Sequence, residues 1–555
     1  MHGARSYWLT FGLQVAQSTC IQHAYGAAIP YDERQLVLSG YAPTSTACPA
    51  GSLLRPADRL SQLESAWVSR RKPKADAALA SWLKRINAGF NTSNLPLVGL
   101  TISGGGYRST LGGAGVIRGF DNRDSQLETS GLYQGLSYIA GLSGGSLLLS
   151  SIVGNNYPTM SSLKENLWRD ALKRSIFAPG VLNASTLLPA ITNDIRLKRE
   201  AGFSPTLTDP YGRLLAYQVI NSNDGGVSTT LSSVTEKSNF AQFNAPYPII
   251  TSLGIQLGKC LPTSNAIQYE FTPHEFGSWD KGVSSFTPTK YLGTPLSNGL
   301  PTEPGTKCTQ NFDNLGYIAA TSCALFSLTL CPSIAGDDPA RDSTLNDVVQ
   351  PLLNPSHTRI TRDLYATYPN PFQNYKPAIN VSSQSELYLM DGGSAFQNNP
   401  IWPFIQPASR VQVLLVNDNS ADTTDNFPNG TEIRTTYLQA REHGLTRMPF
   451  IPPASTFVER GWDKRAVFFG CKEVGQLTIV YLPNAKYTYN SGVPTSKGEF
   501  SGEEVEGLIG NGVGVAGQGG AEGWAVCLGC AVVSKTGTGL PAVCEECFER
   551  YCFDG

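Results

Sequence analysis

Three short segments of this chain set a reactive side chain among glycines. In Gly141-Leu142-Ser143-Gly144-Gly145 a serine follows the apolar run Leu136 to Ala140. A strand that turns sharply into a helix holds such a serine in an exposed, strained position, and small neighbours are needed where the backbone passes close to itself. The hydroxyl would sit above a helix N-terminus, where developing negative charge is stabilised. Ser103-Gly104-Gly105-Gly106-Tyr107-Arg108 repeats the layout after Leu95 to Ile102. Its consecutive glycines let backbone N–H groups converge on an anion, either a phosphate or a tetrahedral oxyanion. No Gly-Lys-Ser/Thr closes the segment, so it is not a P-loop. Arg108, in the first turn of the following helix, has the reach to hold a phosphate. Met390-Asp391-Gly392-Gly393 ends the run Leu387 to Met390. Its aspartate has the chemistry of a general base, a metal ligand or a turn residue. Taken singly, each segment also fits an ordinary tight turn.

A serine nucleophile needs a base. The chain has five histidines, of which His2 and His23 lie near its start. His357 and His443 occupy polar, loop-like contexts, and none of the five, His274 included, ends a strand-like run. A Ser-His-Asp triad therefore has no well-placed histidine. A Ser–Asp dyad is more economical, with Asp391 itself taking the Ser143 proton once burial makes its carboxylate basic enough.

Positioning these residues is the task of the elements around them. Leu95 to Ile102 and Leu136 to Ala140 read as strands, followed by helices at Tyr107 to Phe120 and Gly144 to Val153. Further short apolar runs at Leu387 to Met390, Val411 to Val416 and Leu477 to Leu482 end near turn residues, as buried strands of a mostly parallel sheet do. Strands alternating with helices predict an α/β fold with helices flanking a central sheet. Ligands bind such sheets at the carboxyl ends of strands, which is where the three segments fall. Residues 57–88 read as charged, amphipathic helix, interrupted at Arg70-Arg71-Lys72-Pro73-Lys74 by a solvated loop. The Pro-, Thr- and Ser-rich stretch of about 180–380 reads as a large insertion capping the core, and the Gly-rich 507–522 as a flexible lead into the tail. Thr129 to Leu163 lacks charge, but its dense apolar run, Leu147 to Val153, is too short to cross a bilayer.

Composition narrows the classes. The chain has 555 residues, 41% hydrophobic and 15% charged, with a formal charge of −2. That excludes disorder as the main state, and the balanced charge argues against a nucleic-acid partner. Twelve cysteines exceed what a cytosolic enzyme needs. Cys527, Cys530, Cys544 and Cys547 follow the spacing C-x2-C-x13-C-x2-C, open equally to a zinc site and to a disulfide-knotted tail. Arg5, the apolar stretch Tyr7 to Ala16 and small residues at Ala24 to Ala28 have the layout of a signal peptide over residues 1–28, with a weak hydrophobic stretch. Sequons stand at Asn91, Asn183, Asn380 and Asn429, no more than chance supplies.

In this order and form the three segments resemble the fungal phospholipase B, or lysophospholipase, family, which is related to the cytosolic phospholipase A catalytic domain and to patatins. Cys48-Pro-Ala-Gly-Ser-Leu-Leu-Arg-Pro56, Glu64-Ser-Ala-Trp67, Phe271-Thr-Pro-His-Glu-Phe-Gly-Ser-Trp-Asp280, Asn398-Asn-Pro-Ile-Trp-Pro403 and Cys544-Glu-Glu-Cys-Phe-Glu-Arg-Tyr-Cys552 extend the resemblance from about residue 40 to the end. It implies a single catalytic domain over 40–555 with a Cys-rich tail at 523–555, and a fold like the cytosolic phospholipase A domain. It makes Ser143 the nucleophile, Asp391 its partner, Gly105 and Gly106 the oxyanion hole, and Arg108 a phosphate or oxyanion contact. The implied activity is fatty-acid release from phospholipids and lysophospholipids at a lipid interface, with transient membrane contact and no cofactor or metal. It also implies secretion, and so turns the tail cysteines toward disulfides. Ser394 stands where the family has an acidic residue, Asn399 where it has Ile, and Leu147 where it has Trp. These departures bear on substrate preference more than on chemistry. Two other readings fit the same turns: a patatin-like acyl hydrolase of broader ester specificity, and a non-catalytic protein that binds lipid or anions.

Overall fold

The computed structural model describes residues 40–176, 187–302, 307–326, 362–537 and 539–553. Gly40–Gly555 forms one compact unit. The proposed signal peptide, His2, His23, His357 and Asn183 lie outside the described residues.

A 13-stranded mixed sheet runs through this unit. Its strands are β1 (Arg55–Pro56), β2 (Leu97–Ile102), β3 (Leu136–Gly141), β4 (Tyr247–Gly254), β5 (Gln268–Phe271), β6 (Glu275–Ser278), β7 (Ser285–Pro288), β8 (Ala366–Pro369), β9 (Glu386–Met390), β10 (Val411–Asp418), β11 (Val467–Phe469), β12 (Thr478–Pro483) and β13 (Cys552–Phe553). The spatial order is β13-β11-β12-β10-β2-β3-β4-β5-β6-β7-β1. Five neighbours, β12-β10-β2-β3-β4, are parallel. Every residue of β2, β3 and β12 is buried, as strands covered by helices on both faces require. Beyond β4 the sheet turns antiparallel and forks, because β4 pairs with β5 through Ile250 to Leu253 and with β9 through Leu253 and Gly254. The strand carrying Asp391 is thus one arm of an antiparallel hairpin with β8, not a further parallel strand.

Helices α1 (Gln62–Ile86), α2 (Gly106–Phe120), α3 (Gly144–Gly154), α4 (Leu315–Ser322), α5 (Thr431–Glu442), α6 (Gly502–Ala516), α7 (Trp524–Val533) and α8 (Val543–Tyr551) pack around the sheet. Three expectations need correction. The basic cluster at 70–74 is no loop. It lies inside α1, which tolerates Pro73 in its interior. Arg71 is buried there and donates to the carbonyls of Leu136 and Phe243, so α1 is pinned to the start of β3. The stretch 180–380 is not a cap set apart from the core, since it supplies β4 to β8, five of the sheet's 13 strands. Finally, 507–516 belongs to helix α6, which starts with a capping box between Ser501 and Glu504. Its glycines let it lie against α2: a Cβ at Gly512 would stand 2.1 Å from the Gly112 carbonyl oxygen, and one at Gly115 2.1 Å from that of Ile509.

The cysteines settle the tail. Cys527–Cys547 and Cys530–Cys544 are disulfides joining α7 to α8, and Cys471–Cys552 ties β13 back to the β11–β12 connection. The zinc reading is overturned, because the sulfurs that would ligate a metal are covalently paired. Cys48–Cys308 closes a further loop, and Cys323 is free and buried. Among the described residues no helix is long and apolar enough to cross a membrane.

Candidate active site

Ser143 follows β3 directly and is the N-cap of α3, with φ 53° and ψ −120°. A non-glycine residue held there costs on the order of 1–3 kcal/mol, a strain that persists only where the surroundings enforce it. They do so through backbone contact. A Cβ at Gly145 would lie 2.2 Å from the Ile102 carbonyl oxygen, and one at Gly144 2.0 Å from that of Gly106. The turn is also held by Ser322 at the end of α4, whose Oγ accepts from the Ser143 N–H at 2.9 Å and donates to the Thr251 carbonyl of β4. Nothing in the sequence around Ser322 flagged it, because its partners are backbone groups distant in the chain.

Asp391 ends β9 and caps a short 3-10 turn, with Oδ1 accepting from the Gly393 N–H at 2.8 Å. Its other oxygen, Oδ2, accepts the Ser143 hydroxyl at 2.6 Å. Ser143 and Asp391 are both buried, 5% and 3% exposed. Burial pushes the Asp391 carboxyl up to about 6, against the lowering effect of its bonds from Ser143 and Gly393. The carboxylate is therefore ionised at neutral pH yet far more basic than an ordinary aspartate.

Gly105 and Gly106 lie at the N-terminus of α2, with φ of 136° and 59°. Both values fall where a Cβ is disfavoured, so glycine is required here. N–H groups at this end of a helix have no acceptor within it. The turn abuts the serine: a Cβ at Gly104 would stand 2.9 Å from that of Ser143 and 2.1 Å from Asn398 Oδ1. Asn398, noted in the sequence only as part of a segment that resembles the family, is thus a hub. Its carbonyl accepts from Gly104, its Nδ2 donates to Ser420 and its N–H donates to the buried Glu432.

Arg108 is 1% exposed. Its Nε donates to the Asn419 carbonyl at 3.0 Å and its NH2 to Thr495 Oγ1 at 3.1 Å, while NH1 donates to the Val493 carbonyl. It clamps the loops after β10 and β12 over the glycine turn. Burial lowers its pKa to about 10, which Asp418 and Asp422 oppose. Asp422 is in turn pushed up to about 7 by burial and by Asp418. The structure thus brings Ser143, Asp391, Gly105 and Gly106 together, with Arg108 behind the turn rather than reaching free into the site.

The two described histidines stand elsewhere. His274 shares a hydrogen bond with the Tyr247 hydroxyl at 2.8 Å, and burial lowers its pKa to about 4. His443 packs edge-on against Trp402.

Comparisons with known proteins identify the family. The family model of the lysophospholipase catalytic domain matches residues 98–555. Lysophospholipase 1 of Aspergillus fumigatus is 36% identical over 93% of this chain and 87% of its own length. The Penicillium chrysogenum lysophospholipase is 34% identical over 93% of this chain and 90% of its own, and the probable lysophospholipase 3 of Schizosaccharomyces pombe 33% identical over 98% and 87%. Among solved structures, human GIVD cytosolic phospholipase A2 shares the fold at a TM-score of 0.67 and 16% identity, covering 89% of this chain and 72% of that one. The match spans both the sheet and the segments that meet at its carboxyl edge, and on it this chain belongs to the lysophospholipase, or phospholipase B, family.

Proposed function

We propose that this protein releases fatty acids from lysophospholipids and phospholipids through a covalent acyl-serine. The observation that carries the reading is the 2.6 Å hydrogen bond from the strained Ser143 hydroxyl to the buried Asp391 carboxylate. Asp391 takes the proton as Ser143 Oγ adds to the ester carbonyl. The tetrahedral oxyanion then forms beside the N–H groups of Gly105 and Gly106, already oriented at a helix N-terminus. Collapse breaks the ester bond, and the glycerol oxygen leaves with the proton held by Asp391. Water, deprotonated by the same carboxylate, attacks the acyl-enzyme and frees the fatty acid. Every step uses groups of this chain, so neither metal nor cofactor has a task in it. The test is fatty-acid release from lysophosphatidylcholine by wild type and Ser143→Ala with a chelator present. Release by wild type alone supports the reading, and release by Ser143→Ala refutes it.

The disulfides among the described residues need an oxidising compartment to form. That supports a secreted or cell-surface protein meeting its substrate transiently at a lipid surface. One observation favours a second reading, an acyl hydrolase of broader ester specificity: the Arg108 guanidinium donates to chain oxygens, so a substrate phosphate is not needed to satisfy it.

A further inference from the structure

Where the sheet forks between β5 and β9, a cleft of about 530 Å³ opens that no step above uses. Its walls combine Ile255, Leu261, Ile267 and Tyr388 with the amides of Gln256 and Gln384. The volume falls in the range of small-molecule sites (~300–1,000 Å³). Lys259 is the one charged residue lining it. Its side chain is exposed, and its ammonium makes no ion pair among the described residues. The cleft is preformed. The Ile255 N–H donates to the Tyr388 carbonyl at 2.9 Å, the Tyr365 hydroxyl donates to the Lys259 carbonyl at 2.6 Å, and Cys260 is disulfide-bonded. Leu257 and Leu261, on the same loop, are 52% and 49% exposed, so the apolar surface continues out of the cleft.

A trough lined by both apolar side chains and amides, with one exposed lysine, matches a single-chain amphiphile with an anionic head. Only one such molecule arises from the chemistry proposed here, the released fatty acid. Tyr388 on its wall and Asp391 lie three residues apart at the end of β9, about 10 Å along the strand. We propose that this cleft binds a long-chain fatty-acid anion, its tail between β5 and β9 and its carboxylate at Lys259. The choice of occupant rests on the hydrolase reading. Occupancy does not require turnover, so the two can fail separately.

The experiment blocks Ser143 of the full chain with a long-chain alkyl fluorophosphonate, which removes the catalytic acyl site, and then titrates submicellar palmitate. One saturable site is expected to remain. Lys259→Glu should weaken it about tenfold, the equivalent of about 1.4 kcal/mol, and Leu261→Asp should weaken it as well. Both residues are exposed, so both variants should fold. Lysophosphatidylcholine, which carries no net charge, should bind more weakly and respond little to Lys259→Glu. Loss of all saturable palmitate binding after blocking overturns the proposal. So does binding indifferent to both substitutions, or equal sensitivity of palmitate and lysophosphatidylcholine to Lys259→Glu. If fluorophosphonate fails to label Ser143, Ser143→Ala is titrated instead. Palmitate binding sensitive to Lys259→Glu in that protein would then keep the cleft while the hydrolase reading falls.

Discussion

Gly104, Gly105 and Gly106 leave the end of β2, whereas Gly507, Gly510, Gly512 and Gly514 line up within α6. Composition makes the two stretches look alike. In the first, missing side chains let the chain take φ values of 136° and 59° at the helix start beside Ser143. In the second, φ is ordinary at Gly512, and the missing side chain lets the α6 backbone touch α2 at Gly112 and Gly115. The first set frees the backbone for an unusual turn, whereas Gly512 of the second buries backbone against backbone. The two are joined, because α2 carries Gly106 at its start and receives α6 along its length.

The largest test breaks the site and leaves the packing alone. Ser143→Ala and Asp391→Asn should each lower turnover of lysophosphatidylcholine by about 10⁴-fold or more, as for groups that act as a unit. The double variant should be no worse than either single one, and circular dichroism should be unchanged. An Asp391→Asn protein within tenfold of wild type would remove Asp391 as the base.

Next come the two kinds of glycine. Gly105→Ala puts a Cβ at positive φ and 2.6 Å from the Asn419 carbonyl oxygen. Losing the aim of one oxyanion donor should lower turnover by about 10²–10³. Gly512→Ala should instead cost about 1–3 kcal/mol of stability by overpacking, with turnover per folded molecule near wild type. Measuring kcat and thermal midpoint for both separates them. A Gly512→Ala protein that folds normally but turns over slowly would show that α6 sets the site through α2.

Arg108 tests what holds the glycine turn. As a clamp on the Asn419 and Val493–Thr495 segments, its loss should reduce cleavage of a phospholipid and of an uncharged ester by the same factor, about tenfold to a hundredfold. A loss confined to phospholipid would assign the guanidinium to the phosphate, as the family resemblance implies.

Strand ends were legible in the sequence because apolar runs stop at turn residues. The strands at Leu97–Ile102 and Leu136–Gly141 and the helices after them fall within about two residues of the apolar pattern, within the usual error of such boundaries. Ser143 and Asp391 could be paired because each ends such a run. What misled was local composition overruled by tertiary contact. Pro73 and the basic cluster suggest a break, yet Arg71 finds buried carbonyl partners that keep α1 continuous. Gly-rich 507–516 suggests mobility, yet the stretch is helix, and close contact with α2 requires the glycine at 512. Ser322 and Asn398 act on backbone groups far away in the chain, and such bonds leave no periodic mark.

The carboxyl at Asp391 also sets a pH dependence. Held up at about 6, it is a base only above that pH. With lysophosphatidylcholine below its KM, kcat/KM should fall about tenfold per pH unit below 6. A limb near 4, the ordinary aspartate range, would mean that the carboxyl is not desolvated in the working enzyme.

Glu270 isolates burial from catalysis, because it too is raised, to about 8, by desolvation and then by the charge of Glu64, with no serine hydroxyl bonded to it among the described residues. Glu64 is itself raised to about 7 and accepts from the Tyr138 hydroxyl, while Arg55 is engaged by Glu275. A carboxyl with a raised folded-state pKa contributes stability that is whole below its unfolded value, near 4.5, and is lost as pH climbs through about 8. Glu270→Gln, which cannot ionise, should therefore raise the thermal midpoint by roughly 1–3 °C at pH 9 and change it little at pH 5, leaving kcat as in wild type. The comparison with Asp391 turns on that last readout. The two carboxyls share a cause of their basicity, and only the one within reach of a serine should move the rate.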